Sequence, residues 1–169
     1  MDDAIKMSGG ITDVIIRKLR KEDAYVSVNW RNDPEVFKYT GNTYSNEIYL
    51  SQELEWIEKV IRNKDEKRYA IEADGVYVGN IYLTGIHNGV GHYHIFIGEK
   101  DYWGKGVAYR ASVKILEVAF NELGLQVVSL NVKEENVAAV KLYLRLGFKA
   151  IGSNGDNIRM ECHRDSVKL

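Results

Sequence analysis

The 169-residue chain has a single cysteine, Cys162, so it can close no disulfide within itself. No apolar run is long enough to span a bilayer or to form the apolar stretch of a signal peptide. Neither sign of charge is in excess: 23 Lys and Arg stand against 24 Asp and Glu, a net charge of −1, which favours neither nucleic acid nor an anionic membrane as partner. Internal repeats, low-complexity segments and an interdomain linker are also missing. What is left is about one domain of chain, large enough to bury a core without disulfide or metal. The expectation is a cytoplasmic protein with small or local partners. Residues 1 to 11, where Ser8-Gly9-Gly10 falls in a stretch without regular apolar spacing, are expected to be a disordered leader, with 12 to 169 as one domain.

Apolar spacing outlines the elements. Val14, Ile16 and Leu19 predict a strand over 13–19; Asp23 begins a helix toward Arg31, and Asp33-Pro34 starts a short helical turn. Leu50, Leu54, Ile57 and Ile61, three and four apart, predict a helix that follows Ser45 and Glu47 and ends near Asn63. Segments 69–73, 76–86 and 93–98, separated by Asp74-Gly75 and Asn88-Gly89, read as three successive antiparallel strands. Val107, Ala111, Ile115, Val118, Ala119 and Leu123 form one helical stripe closed by Gly124. A buried strand over 127–132, a helix over 136–146 stopped by Gly147, and a hairpin of 148–151 with 158–162 complete an α+β domain.

The most informative stretch is Trp103-Gly104-Lys105-Gly106-Val107-Ala108, at the start of the striped helix. The first N–H groups of a helix have no intrahelical partner and carry partial positive charge, and glycines let an anion approach the backbone closely. A nucleoside-triphosphate loop would need Ser or Thr after Lys105, where Gly106 stands. A dinucleotide fingerprint would place its third small residue at Tyr109 and would sit behind the first strand of a βαβ unit. The stretch resembles instead the pyrophosphate loop of acyl-coenzyme A enzymes, Gln/Arg-x-x-Gly-x-Gly/Ala, falling on Trp103, Gly106 and Ala108, with Trp103 where Gln or Arg is usual.

A second motif runs from Asn136 through Ala139, Leu142 and Tyr143 to Gly147-Phe148. On residues alone, Asn136 is either a helix N-cap or a ligand contact, Tyr143 either a core aromatic or a site residue, and Asn131 either solvated or lining a cleft. Together the two motifs resemble the GNAT superfamily of acetyl-CoA dependent N-acetyltransferases, over roughly residues 92 to 150. Trp30-Arg31-Asn32-Asp33-Pro34 is similar to the branch containing ribosomal-protein N-terminal acetyltransferases, where Tyr-Trp-Gly-Lys-Gly also occurs.

The resemblance implies a mixed, mostly antiparallel sheet of six to seven strands flanked by helices and splayed between strands 4 and 5. Acetyl-CoA would be the co-substrate, with no metal. It would be contacted by Ile97, Gly98, Trp103, Gly104, Lys105, Gly106, Val107, Ala108, Asn131 and Asn136. Tyr143 would be the general acid and the backbone N–H around Ile97 the oxyanion donor. The base stays open: His92 and His94 share a strand face opposite Tyr93, where many relatives carry a carboxylate, and Glu72, Glu99, His87, a water relay or a neutral amine are alternatives. Cys162, with only His163 and Arg164 as basic neighbours, does not suit an acyl carrier.

The acceptor is expected to be a small-molecule amine or a peptide N-terminus, met by Trp30, Arg31, Asn32, Tyr39, Tyr44, Tyr49, Glu53 and Trp56. These aromatic and polar residues suit an amino sugar or nucleotide sugar slightly better than a peptide. Polyamine or aminoglycoside would want an acidic cleft, and Glu47, Glu53, Glu55 and Glu58 fall partly on a solvated helical face. A non-catalytic acetyl-CoA binding module is the competing class, and family analogy alone suggests a homodimer. Gly106→Val is predicted to weaken coenzyme binding by blocking the approach of phosphate to backbone; undiminished affinity by calorimetry refutes the loop assignment.

Overall fold

The computed structural model of the protein describes residues 10–38 and 46–169. Residues 1–9 of the expected leader, with Tyr39, Tyr44 and Ser45, lie outside the described residues. In chain order the elements are β1 (Val14–Lys18), α1 (Ala24–Arg31), α2 (Pro34–Phe37), α3 (Leu50–Ile61), β2 (Lys67–Ala73), β3 (Val76–His87), β4 (Val90–Ile97), α4 (Val107–Glu117), β5 (Val127–Lys133), α5 (Val137–Leu146), β6 (Lys149–Asn154) and β7 (Asn157–His163).

The seven strands form one sheet in the order β1-β2-β3-β4-β5-β7-β6. Every neighbouring pair is antiparallel except β4 and β5, which run parallel. That parallel seam is short. It pairs Val90 with Val127, Gly91 with Val128 and His92 with Ser129, and then stops, although β4 continues to Ile97 and β5 to Lys133. The expected splay between the fourth and fifth strands is therefore present.

Strand alternation sends neighbouring residues to opposite faces. Ile71 joins the main core with Ile81, Leu83 and Tyr93 and the α4 residues Val107, Ala111, Ile115 and Leu116. Its neighbour Ala70 packs with Ile57 and Val60 of α3, together with Leu19 and Ala24. Ile11 packs against the main core, and Arg110 of α4 donates to its carbonyl at 3.0 Å and to that of Thr12 at 2.8 Å. The N-terminal approach to β1 is tied to α4 in this way.

Two local features differ from the sequence reading. The stripe expected to run as one regular helix to Leu123 changes at Val118, where Val118–Glu122 forms a π turn and Leu123 N–H bonds the Val118 carbonyl. The buried row Ser112, Leu116 and Phe120 repeats every four residues. A helix of 3.6 residues per turn drifts off such a row, and a wider turn absorbs the drift. Asp23 precedes α1 as expected, yet its carboxylate caps nothing in that helix. It accepts from Arg17 at 2.8 and 2.9 Å and from Arg20 N–H at 2.8 Å, while Arg17 also bonds Glu72.

Gly98, at the end of β4, has a packing duty. A Cβ there would lie 2.0 Å from the Trp30 ring, which is itself buried against Tyr77 and Phe96 and donates Nε1–H to Glu99 at 2.9 Å. Gly98→Ala is predicted to lower the unfolding free energy by about 1–3 kcal/mol through overpacking; denaturant unfolding equal to that of the unchanged chain contradicts this.

Candidate active site

The glycine stretch forms an open cradle. Gly104 and Gly106 take φ of +70° and +79°, a backbone region that penalises any Cβ, and nothing lies within 4 Å of where a Cβ would stand. Gly106 is the N-cap of α4, no side chain caps that helix, and the first internal bond is Arg110 N–H to the Gly106 carbonyl. The N–H groups of Val107, Ala108 and Tyr109 thus remain open to an anion such as phosphate. Trp103 donates its indole N–H to the Ile97 carbonyl at 2.8 Å, which ties the loop to the end of β4.

The backbone of β4 faces the gap in a defined way. Gly98 N–H bonds the Val78 carbonyl at 2.7 Å, and the register places Phe96 opposite Asn80 and His94 opposite Tyr82. Antiparallel alternation then directs the N–H groups of Ile95 and Ile97 away from β3, toward the space β5 has vacated. At the last paired position, His92 Nδ1 bonds Ser129 Oγ across the seam. Past it, Asn131 stands exposed on β5, and Ile95, Ile97 and Asn131 all line one cleft.

That cleft encloses about 1380 Å³. Trp103, Gly104, Gly106, Val107, Ala108, Asn136 and Tyr143 line it at the loop side; Lys105 and Gly98 do not. Asn136 is a helix cap that also lies at the cleft. Its Oδ1 caps α5 by accepting from Ala139 N–H at 3.3 Å, and the residue still borders the cleft. Tyr143 does the same: it is 8% exposed, packs edge-on to Tyr93 with ring centroids 5.6 Å apart, and reaches the cleft. Burial pushes its hydroxyl up to about 12, partly offset by the Tyr93 hydroxyl, so it stays protonated near neutrality. Tyr93 bonds Ser112 Oγ at 2.6 Å, and Ser112 donates to the Ala108 carbonyl, linking this aromatic pair to the first turn of α4.

The far half of the cleft is walled by Arg31, Glu35, Phe37, Trp56, Glu66, Arg68, Tyr82, Thr84 and His94. Arg31 and Trp56 were expected there. Trp30 and Asn32 are not in this wall: Trp30 covers Gly98, and Asn32 clamps Ile48 by accepting from its N–H at 2.7 Å and donating to its carbonyl at 2.9 Å. Tyr49 is exposed outside the cleft. Glu53 sits on no solvated face; it is buried, 3.1 Å from Ser27 Oγ and 3.4 Å from Arg31 Nε. Arg68, Tyr82 and Thr84, on middle strands, were missed, and only their odd-even alternation with Tyr69, Ile81 and Leu83 signals that they share the other face.

Of the histidines, His92 is held at the seam by Ser129, while His94 lies in the cleft, stacked on Tyr82 with centroids 4.9 Å apart and 3.0 Å from Thr84 Oγ1. Although the residue is exposed at the mouth of the cleft, desolvation by the surrounding walls, with the charges of Arg68 and His92 adding, pushes His94 down to about 4. Cys162 is buried, and burial pushes its thiol up to about 11, which leaves it inert as a nucleophile at neutral pH. Among the described residues no group of three or more His, Cys, Asp and Glu could hold a metal ion, and no helix is long and apolar enough to cross a membrane.

Comparison with known proteins adds the following. The family model for the acetyltransferase (GNAT) domain matches residues 13–149. The chain is 30% identical over 145 residues to the spermidine N(1)-acetyltransferase of Escherichia coli, covering 82% of this chain and 74% of that protein. It is 29% identical over 143 residues to an uncharacterized N-acetyltransferase of Bacillus licheniformis, covering 81% and 79%. Among solved structures, the spermidine N-acetyltransferase from Vibrio cholerae in complex with CoA and spermine superposes with a TM-score of 0.82 at 25% identity, over 90% of this chain and 96% of that one. A domain from Methanocaldococcus jannaschii shares the fold with a TM-score of 0.75 at 20% identity, over 89% and 98%.

The histidine assignment has a direct check. His94 is predicted to titrate near 4 by NMR, keeping a neutral imidazole throughout the physiological range; a midpoint at or above the ordinary 6.5 contradicts the desolvated environment.

Proposed function

Because the chain belongs to the GNAT acetyltransferase family, we propose that it transfers the acetyl group of acetyl-CoA to the primary amine of a polar small molecule such as an amino sugar. The observation that carries this reading is the single cleft of about 1380 Å³ that runs from the glycine cradle, past the parted strands, to the Arg31, Trp56, Arg68 and Tyr82 wall. Donor and acceptor can occupy it together, which favours direct attack in a ternary complex over an acyl-enzyme. The buried, protonated Cys162 supports the same choice.

The cradle suits the pyrophosphate of the coenzyme: left-handed glycines, empty space where a Cβ would intrude, and uncapped N–H groups at the start of α4. Asn136 and Asn131 border the path of the pantetheine arm, whose amide groups would find the N–H group of Ile95 facing them. The amine nitrogen attacks the thioester carbonyl, and negative charge gathers on oxygen, where the N–H of Ile97 stabilises it. The carbon–sulfur bond then breaks and Tyr143 gives its proton to the departing thiolate. The proton lost by the amine returns through cleft water to Tyr143. At about 4, His94 is too weak a base to hold that proton near neutrality, so water and the ionisation of the amine itself carry this step.

The names of the spermidine acetyltransferase relatives favour a second reading, a polyamine acceptor. Glu35 and Glu66 are the carboxylates at hand, but Lys100 takes the first at 2.7 Å and Arg68 the second at 2.9 Å. A polycation would also meet Arg31 and Arg68. Thiol release from acetyl-CoA on a panel of amino sugars, polyamines, aminoglycosides and peptides with free N-termini separates these readings. The proposal expects the amino sugars to lead; turnover on none of them, with coenzyme still bound, identifies a binding module instead. Tyr143→Phe is predicted to lower kcat by roughly 10²-fold, with a smaller change in the KM for acetyl-CoA; unchanged turnover removes Tyr143 from the acid role.

A further inference from the structure

Two arginines meet one indole in the far half of the cleft. The Arg31 guanidinium lies 4.8 Å from the Trp56 ring centroid and that of Arg68 lies 5.2 Å from it. Arg68 also stacks 3.9 Å over Tyr82, and Arg31 lies 5.6 Å from Phe37. Each is anchored at Nε by a carboxylate: Arg68 donates to Glu66 at 2.9 Å, and Arg31 approaches Glu53 Oε2 at 3.4 Å. Glu53 is only 1% exposed, and that Oε2 has no hydrogen bond among the described residues. Its burial raises its pKa while the Arg31 charge opposes the rise, so carboxylate and guanidinium hold each other in place.

With ring faces and Nε atoms occupied, the terminal Nη atoms of both arginines carry no hydrogen bond among the described residues, and both residues line the cleft. Two cations held against one ring repel each other, a cost that an anion within reach of both would relieve. A guanidinium fixed by stacking and an Nε partner presents its remaining donors as a rigid fork matched to carboxylate or phosphate oxygens. We propose that Arg31 and Arg68 together grip an anionic group, a phosphate or a carboxylate, on the amine acceptor. This rests on the reading above that the far half of the cleft holds the acceptor, and it narrows that acceptor to a zwitterion.

Calorimetry on the CoA-saturated protein, in which the coenzyme fills the glycine cradle, compares four amino sugars that share an amine: glucosamine, its 1-phosphate, its 6-phosphate and the corresponding uronate. At least one charged sugar is expected to bind ~10-fold or more tighter than glucosamine, and the order of phosphate and carboxylate identifies the group recognised. Arg31→Gln and Arg68→Gln are each expected to reduce that preference to about threefold or less with CoA affinity retained, while Arg31→Lys and Arg68→Lys, which keep charge but lose the fork, fall between. Equal binding of all four sugars, or a preference that survives both Gln changes, overturns the site. Because the readout is binding, anion preference without acetyl transfer sinks only the transferase reading. Transfer to glucosamine without any anion preference sinks only the arginine site.

Discussion

The organising constraint is the early parting of two parallel strands. β4 and β5 pair over three positions and separate beyond His92 and Ser129. An interior sheet edge with unmet N–H groups is costly unless something else satisfies them. Here the edge faces a cleft rather than solvent at large, with Ile95 and Ile97 on one side and Asn131 on the other. The flanking strands make this gap tolerable, because β3 holds β4 along its length and β7 holds β5 from Val127 to Lys133. The cradle, the Tyr93–Tyr143 pair and the arginine wall are all placed by reference to that gap.

The shape of the glycine loop was legible because left-handed glycines at a helix start are an unusual local demand. Left-handed glycines before a helix have few uses besides turns and anion cradles, and the helix-cap reading of Asn136 holds, since Oδ1 caps α5 while the residue borders the cleft. The core-aromatic reading of Tyr143 holds as well, and this almost fully buried residue still lines the cleft. The seven strands were legible from alternation and turn glycines. The π turn after α4 was not, because a stripe spaced by three and four looks the same until the tertiary contact decides which row is kept.

The far half of the cleft was read less well, and the reason is that polar and aromatic side chains near a cleft also build its supports. Trp30 and Asn32 looked like acceptor contacts, yet one fills the space above Gly98 and the other pins Ile48. Glu53, expected among the acceptor contacts and partly on a solvated helical face, is the buried anchor of Arg31. Arg68 lies on β2 next to the core residue Ala70, where only its pairing and its stacking on Trp56 and Tyr82 reveal a role. Family membership makes the chain an acetyltransferase, and the far wall of its cleft sets Arg31 and Arg68 beside Glu35 and Glu66.

The claim that the strand gap is where the donor is held can be tested at the backbone itself. Amide hydrogen exchange, measured residue by residue with and without CoA, reads the N–H groups of β4 directly. The Ile95 and Ile97 amides are predicted to slow by about tenfold or more when CoA binds. His94 and Phe96, already bonded to β3, should change little. Ile95 and Ile97 amides that exchange at the same rate in saturating CoA would contradict it.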